Sequence, residues 1–275
     1  MKEITLGQYY PVKSIIHSLD PRTKILNTIF IIVLTFISKT YVGLSICASL
    51  ALIIAFLGKI PFKKILSSLK AVSFIIAFTF LLNIFFFKEG KVIFQWGIIS
   101  LTYGGINRAL FMAIRLMLLI LGASLMTFTT SPIELTDGLE RLMSPLKKIG
   151  FPAHEIAMMM SIALRFIPIL TEETDKIMKA QSARGAVFDE GSLFKRAKAI
   201  VALLIPLLAS AFHRALELAS AMEARCYHGG EGRTRLKVLK MKKCDLWAFI
   251  VVILFFLVIL IDVLWLKNLL PFLAG

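Results

Sequence analysis

The sequence predicts an all-α integral membrane protein, with about five transmembrane helices and long amphipathic helices on the cytoplasmic side. Three observations carry that prediction. The 275-residue chain is 58% hydrophobic, only 18% charged and has a mean hydropathy of +0.82, whereas soluble domains carry about 25% charge. Its uncharged stretches approach or reach the ~17–25 residues a membrane helix needs. Its acids are segregated: 13 of the 17 lie within 131–245. Such a composition excludes disorder, a secreted disulfide scaffold and an ordinary soluble enzyme. The net charge of +15 reads as positive-inside topology and contact with anionic lipid, not as nucleic-acid binding.

The spans follow in order. Ile25 to Ser38 is uncharged but short, and borrows residues at both ends. Thr40 to Gly58 gives 19 uncharged residues and Ala71 to Phe87 gives 17. Leu116 to Pro132 gives 17 more, extended backwards past Arg115 toward Gly104. Leu246 to Ile261 gives 16, continued through Asp262 to Leu266 and flanked by Trp247 and Trp265 as interface aromatics. Asp262 is expected near the interface, and Arg115 facing the bundle interior. Three regions result: 1–130 with four spans, 131–245 as a cytoplasmic helical block, and 246–275 with the last span. Arg22, Lys24, Lys59, Lys63, Lys64, Lys70 and 18 basic residues of 131–245 fall on one side. Lys39, Lys88, Lys91 and Lys267 fall on the other. The positive-inside rule then places the N-terminus and 131–245 in the cytoplasm. The first 24 residues lack a signal-peptide layout, so no cleavage is expected.

Within 131–245 the apolar residues recur at steps of three and four: Ile200, Leu203, Leu204, Leu207, Ala211, Ala215, Leu218 and Met222. Arg214, Glu217 and Glu223 are read onto another face. Three helices are expected. Ser131, Pro132 and Glu134 form a capping-box start, with an end near Lys147–Lys148. The second runs from about Pro152 to Arg184, and the third from about Ser192 to Arg225. The long pair carry interior prolines, Pro168 and Pro206, each of which removes a backbone hydrogen bond and is expected to act as a bend.

The two long helices end in an internal echo. Ala180-Gln-Ser-Ala-Arg184-Gly185 matches Ala221-Met-Glu-Ala-Arg225-Cys226. The alanines clear the helix surface beside each arginine, and a small residue follows. This presents a guanidinium at a helix C-terminus, where it either complements the helix dipole or makes a forked contact with a partner. The repetition in successive helices favours the second.

These residues resemble the EcfT family, the transmembrane coupling subunits of energy-coupling factor (ECF) ABC-type transporters. The resemblance covers roughly residues 10–265. It rests on Leu19-Asp-Pro-Arg-Thr-Lys24, Gly138-Leu-Glu-Arg-Leu, Ser144-Pro-Leu-Lys-Lys-Ile-Gly150, Ala163-Leu-Arg-Phe-Ile-Pro168, Arg214-Ala-Leu-Glu-Leu-Ala and the two echo motifs. The resemblance implies a transport subunit of a prokaryotic cell membrane that couples ATP hydrolysis to uptake of a vitamin or other micronutrient. Its implied partners are two cytoplasmic ABC-type ATPases, a separate substrate-binding membrane protein (the S component) and the lipid bilayer. It further implies that Ala183, Arg184 and Gly185, and Ala224, Arg225 and Cys226, engage grooves on the ATPases. Cys226 departs from the family's usual Gly or Ser.

No GxxxxGK[ST] occurs, so the energy comes from elsewhere; no catalytic residue, metal or cofactor is expected on this chain. His154-Glu155 lacks the second histidine of a zinc-protease helix, and Met158–Met160 reads as adaptable packing. Cys226, His228 and Cys244 are too few for a tetrahedral zinc site. A dedicated subunit of a cobalt, nickel or biotin importer is the nearer alternative. An integral membrane enzyme is disfavoured by four scattered histidines, and a stand-alone secondary transporter by the lopsided layout.

Overall fold

The computed structural model describes residues 8–87, 92–96, 99–186, 188, 193–229 and 241–266. Lys88, Lys91 and Lys267, assigned above to the outer side, lie outside them. The described residues form eight α-helices: α1 (Pro21–Ile37), α2 (Tyr41–Leu57), α3 (Phe62–Phe86), α4 (Tyr103–Thr129), α5 (Pro132–Met143), α6 (Ala153–Ala183), α7 (Leu193–Ala224) and α8 (Lys243–Ile261). One antiparallel hairpin, β1 (Val92–Trp96) with β2 (Ile99–Thr102), joins α3 to α4. Its backbone pairs Trp96 with Ile99 and Val92 with Thr102, with an irregularity between Val92 and Phe94.

Helix starts follow local chemistry. Asp20 accepts from Arg22 N–H at 3.0 Å ahead of Pro21, Thr40 Oγ1 from Gly43 N–H at 3.0 Å, and Thr102 Oγ1 from Gly105 N–H at 3.2 Å. Ser131 Oγ accepts from Glu134 N–H at 3.3 Å, as the expected capping box requires of its first residue. Each bond satisfies a donor that the helix cannot.

Two compact units emerge, one holding 7–138 and 238–275, the other 139–237. In the first, α1, α2, α4 and α8 pack together and α3 lies along α4. Leu34, Leu44, Cys47, Phe111, Leu118 and Ile259 form one core cluster. Ala51, Ala55, Ile65, Leu121, Leu125 and Phe128 belong to a second. The outer faces are apolar: Phe56 is 85% exposed, Phe74 80% and Phe86 79%. Unpartnered apolar faces on this scale fit a hydrocarbon solvent, not water.

Polar residues clasp the two ends of this bundle. At one end Lys24 Nζ, buried, donates to the carbonyls of Thr129 (2.8 Å) and His17 (3.1 Å). The buried Asp245 carboxylate accepts from the backbone N–H of Asp20 and of Lys242, both at 2.7 Å. The start of α1, the end of α4 and the start of α8 therefore share one end. At the other, Arg115 donates to the Ser38 carbonyl at 2.5 Å and Asp262 accepts from Thr40 Oγ1. Arg115 thus faces inward as expected. Asp262, at the end of α8, is buried within the protein at 3% exposure, where its carboxylate accepts from Thr40 Oγ1.

Among the described residues, five helices are long and apolar enough to cross a membrane: α3, α4, α6, α7 and α8. The number matches the sequence expectation, but the membership differs. α1 and α2 have only 17 residues each, ~25 Å at 1.5 Å per residue. The long helices α6 and α7 qualify because their charges crowd toward the ends. Glu172, Glu173, Asp175, Lys176 and Lys179 lie late in α6, and Arg196 and Lys198 early in α7.

Candidate functional site

The two echo motifs fold into the same structure. At the end of α6, Arg184 N–H and Ala186 N–H both donate to the Gln181 carbonyl, and Gly185 N–H to Ser182, all at 3.0 Å. At the end of α7, Arg225 N–H and Tyr227 N–H donate to Met222 at 3.1 Å, and Cys226 N–H to Glu223 at 2.8 Å. Both are Schellman caps, which satisfy the last carbonyls of a helix by turning one residue into the left-handed region. That residue is Gly185 at φ +88° and Cys226 at φ +53°. The small residue after each arginine therefore has a backbone reason. Cys226 fills the place less comfortably, since a side chain costs ~1–2 kcal/mol in that region.

Ala183, Arg184 and Gly185, and Ala224, Arg225 and Cys226, are all exposed. Among the described residues neither guanidinium has a hydrogen-bond or ion-pair partner. Each arginine stands at a helix C-terminus with small neighbours, so a partner's backbone and acceptors can approach both edges of its fork. Pro168 is exposed in α6 and Pro206 half-buried in α7, and both helices continue through them.

α6 packs on α7. Arg214 Nη2 donates to Glu173 Oε2 at 3.1 Å, across 41 residues of chain. The same offset superposes Arg184 on Arg225. The ion pair thus joins positions that the repeat makes equivalent. Each cap then lies ~16 Å along its own helix from the pair, at 1.5 Å per residue. Arg214 belongs to this packed stripe with Leu207, Ala211 and Leu218, not to the separate face read from sequence together with Glu217 and Glu223, which are exposed. Sequence reading missed the pair, although the repeat register would have aligned its members. His154 Nδ1 bonds Glu140 Oε1 at 2.9 Å. Among the described residues no His, Cys, Asp and Glu side chains gather as a metal-ligand group.

The fold is that of a helical, multi-pass membrane protein with two matched caps, whose arginines have no partner among the described residues. A family model described as CbiQ, cobalt transport protein, matches residues 12–236. The energy-coupling factor transporter transmembrane protein EcfT of Ruminiclostridium cellulolyticum is 54% identical over 89% of this chain and 91% of its own. That of Thermosediminibacter oceani is 53% identical over 91% and 94%, and that of Bacillus subtilis 47% over 87% and 90%. The chain belongs to the EcfT family, the transmembrane components of energy-coupling factor transporters.

Proposed function

We propose that this chain couples two cytoplasmic ABC-type ATPases to a substrate-binding S component, with no catalytic group or cofactor of its own. In this reading Arg184 and Arg225, with Ala183, Gly185, Ala224 and Cys226, dock into grooves on the ATPases. ATP-driven closure moves α6 against α7, bending at Pro168 and Pro206, and the shifted apolar faces reorient the S component to release its micronutrient. α1–α4 and α8 cross the membrane, with the N-terminus and 131–245 cytoplasmic. The observation that carries the reading is the pair of exposed caps, equal in geometry and equally distant from the Glu173–Arg214 contact. A dipole cap alone would gain only about 0.3–1 kcal/mol from each arginine, and lysine would serve. Truncating a desolvated, hydrogen-bonded charge costs about 2–5 kcal/mol, roughly 30-fold or more in affinity.

Pull-down of the ATPases tests this. Arg184→Ala/Arg225→Ala is expected to lose the ATPases and nearly all uptake at unchanged expression, and Arg→Lys to restore only part, because lysine lacks the planar fork. Single variants are expected to be milder, since two contacts on one subunit act bivalently. Full ATPase recovery with normal uptake in the double variant would reduce the arginines to helix caps. A second reading, a dedicated cobalt importer subunit, draws support from the name of the matched family model. Cobalt-dependent uptake by the assembled complex separates the two.

A further inference from the structure

The bundle unit contains a slot that coupling does not use. A cavity of about 310 Å³ lies between the aliphatic faces of α1, α2, α4 and α8, with Ile31, Leu50, Ile54, Leu125 and Val251 among its walls and Trp247 at its side. It shares Ile15 and Leu57 with a second hollow, lined otherwise by Lys13, Ser14, Ser18, Phe56 and Lys59. The two adjoin at these residues: a mainly aliphatic slot, whose wall also holds Lys24 with its ammonium bonded to backbone carbonyls, beside a mouth with two lysines and two serines. No Asp or Glu lines either part. Both lysines are exposed, and neither has an ion-pair partner among the described residues.

Lys59 occupies the mouth at a conformational cost. α2 ends in the same cap as α6 and α7, with Lys59 N–H donating to the Phe56 carbonyl at 3.0 Å and Ile60 N–H to Ala55 at 3.1 Å. The left-handed position, φ +52°, holds a lysine where glycine is the relaxed choice. Non-glycine residues held there occur disproportionately at ligand sites. The helix dipole welcomes any cation nearby, but it does not explain a cation on the strained residue beside an acid-free mouth.

We infer that this slot and mouth bind one bilayer phospholipid with an anionic headgroup, an acyl chain lying in the slot and the phosphate between Lys13 and Lys59. Charge complementarity selects this occupant over a zwitterionic lipid. The mouth lies at the bundle end where α1 begins and α2 ends, the depth a headgroup would occupy if these helices span.

Trp247 reports on the slot. The full chain with Trp96→Phe and Trp265→Phe is reconstituted in phosphatidylcholine vesicles, and phosphatidylglycerol or phosphatidylcholine with brominated acyl chains is titrated in. Near a membrane surface each lysine is worth about fivefold in anionic-lipid preference. Half-maximal quenching is therefore expected at roughly five- to thirtyfold lower mole fraction for the brominated anionic lipid. Lys13→Gln/Lys59→Gly should bring the two lipids level, and Lys59→Gly relieves backbone strain, so misfolding does not explain a loss. Ala248→Phe, which fills the slot, should remove the low-fraction component. Equal quenching by both lipids in the parent, or a preference that survives the lysine variant, would overturn the inference. So would no quenching by either lipid, since another occupant would then hold the slot.

Discussion

Gly185→Ala isolates what the left-handed cap contributes. Gly185 sits at φ +88°, and no atom lies within 4 Å of where a Cβ would stand. The substitution meets no steric neighbour, so its cost is that of the backbone alone, ~1–2 kcal/mol. Alanine recovers about 0.4–1 kcal/mol by restricting the opened chain. The net loss is about 1 kcal/mol, or about fivefold in the population of opened caps. Hydrogen exchange followed by mass spectrometry reads this at the amides of 184–186, which lose their acceptors on Gln181 and Ser182 when the cap opens. Those amides should exchange about fivefold faster, while 225–227 stay unchanged. Cys226→Gly is the reciprocal test. At φ +53° a side chain fits the left-handed well better, so relief and added flexibility nearly cancel. Exchange at 225–227 should then slow slightly or hold. Undiminished protection in Gly185→Ala, or faster exchange in Cys226→Gly, would refute the argument that backbone conformation selects the residue after each arginine.

Two further outcomes are expected. Pro168→Ala and Pro206→Ala restore a helical donor at sites where proline costs ~3 kcal/mol relative to alanine; assembly should persist while uptake per ATP hydrolysed falls, and parental coupling in both variants would end the hinge idea. Burial, reinforced by the Lys24 ammonium and opposed by a hydrogen bond to the Tyr10 carbonyl, holds the His17 imidazole below its ordinary 6.5. The unfolded chain then binds the proton more readily, so His17's contribution is present above pH 6.5 and is lost as pH falls below it. Thermal unfolding should drop between pH 7 and 5 in the parent and less in His17→Gln, and identical pH profiles would contradict this.

Local chemistry made much of this protein legible from its sequence. The cap at Ser131 depends on neighbours a few residues away, and the ends of α6 and α7 were placed within about two residues by Gly185, Gly229 and the periodicity. The arginine motifs were readable because they repeat. Contacts across long chain separations were not. Lys24 with Thr129, Asp20 with Asp245, and Thr40 with Asp262 join residues with no shared pattern. A charge near the end of an apolar run looks alike whether it faces water or a partner inside, so the contact of Asp262 with Thr40 was not legible. Arg214 was separated from the apolar stripe for the same reason: period assigns a helix face, but only packing decides which face meets Glu173. The sequence by itself determined an apolar helical protein with two matched caps. Tertiary structure alone decided which charges are paired, that the caps are equidistant from one contact, and that a lysine-mouthed slot lies among the helices. Those depend on how separate segments meet, and burial converts such meetings into energy.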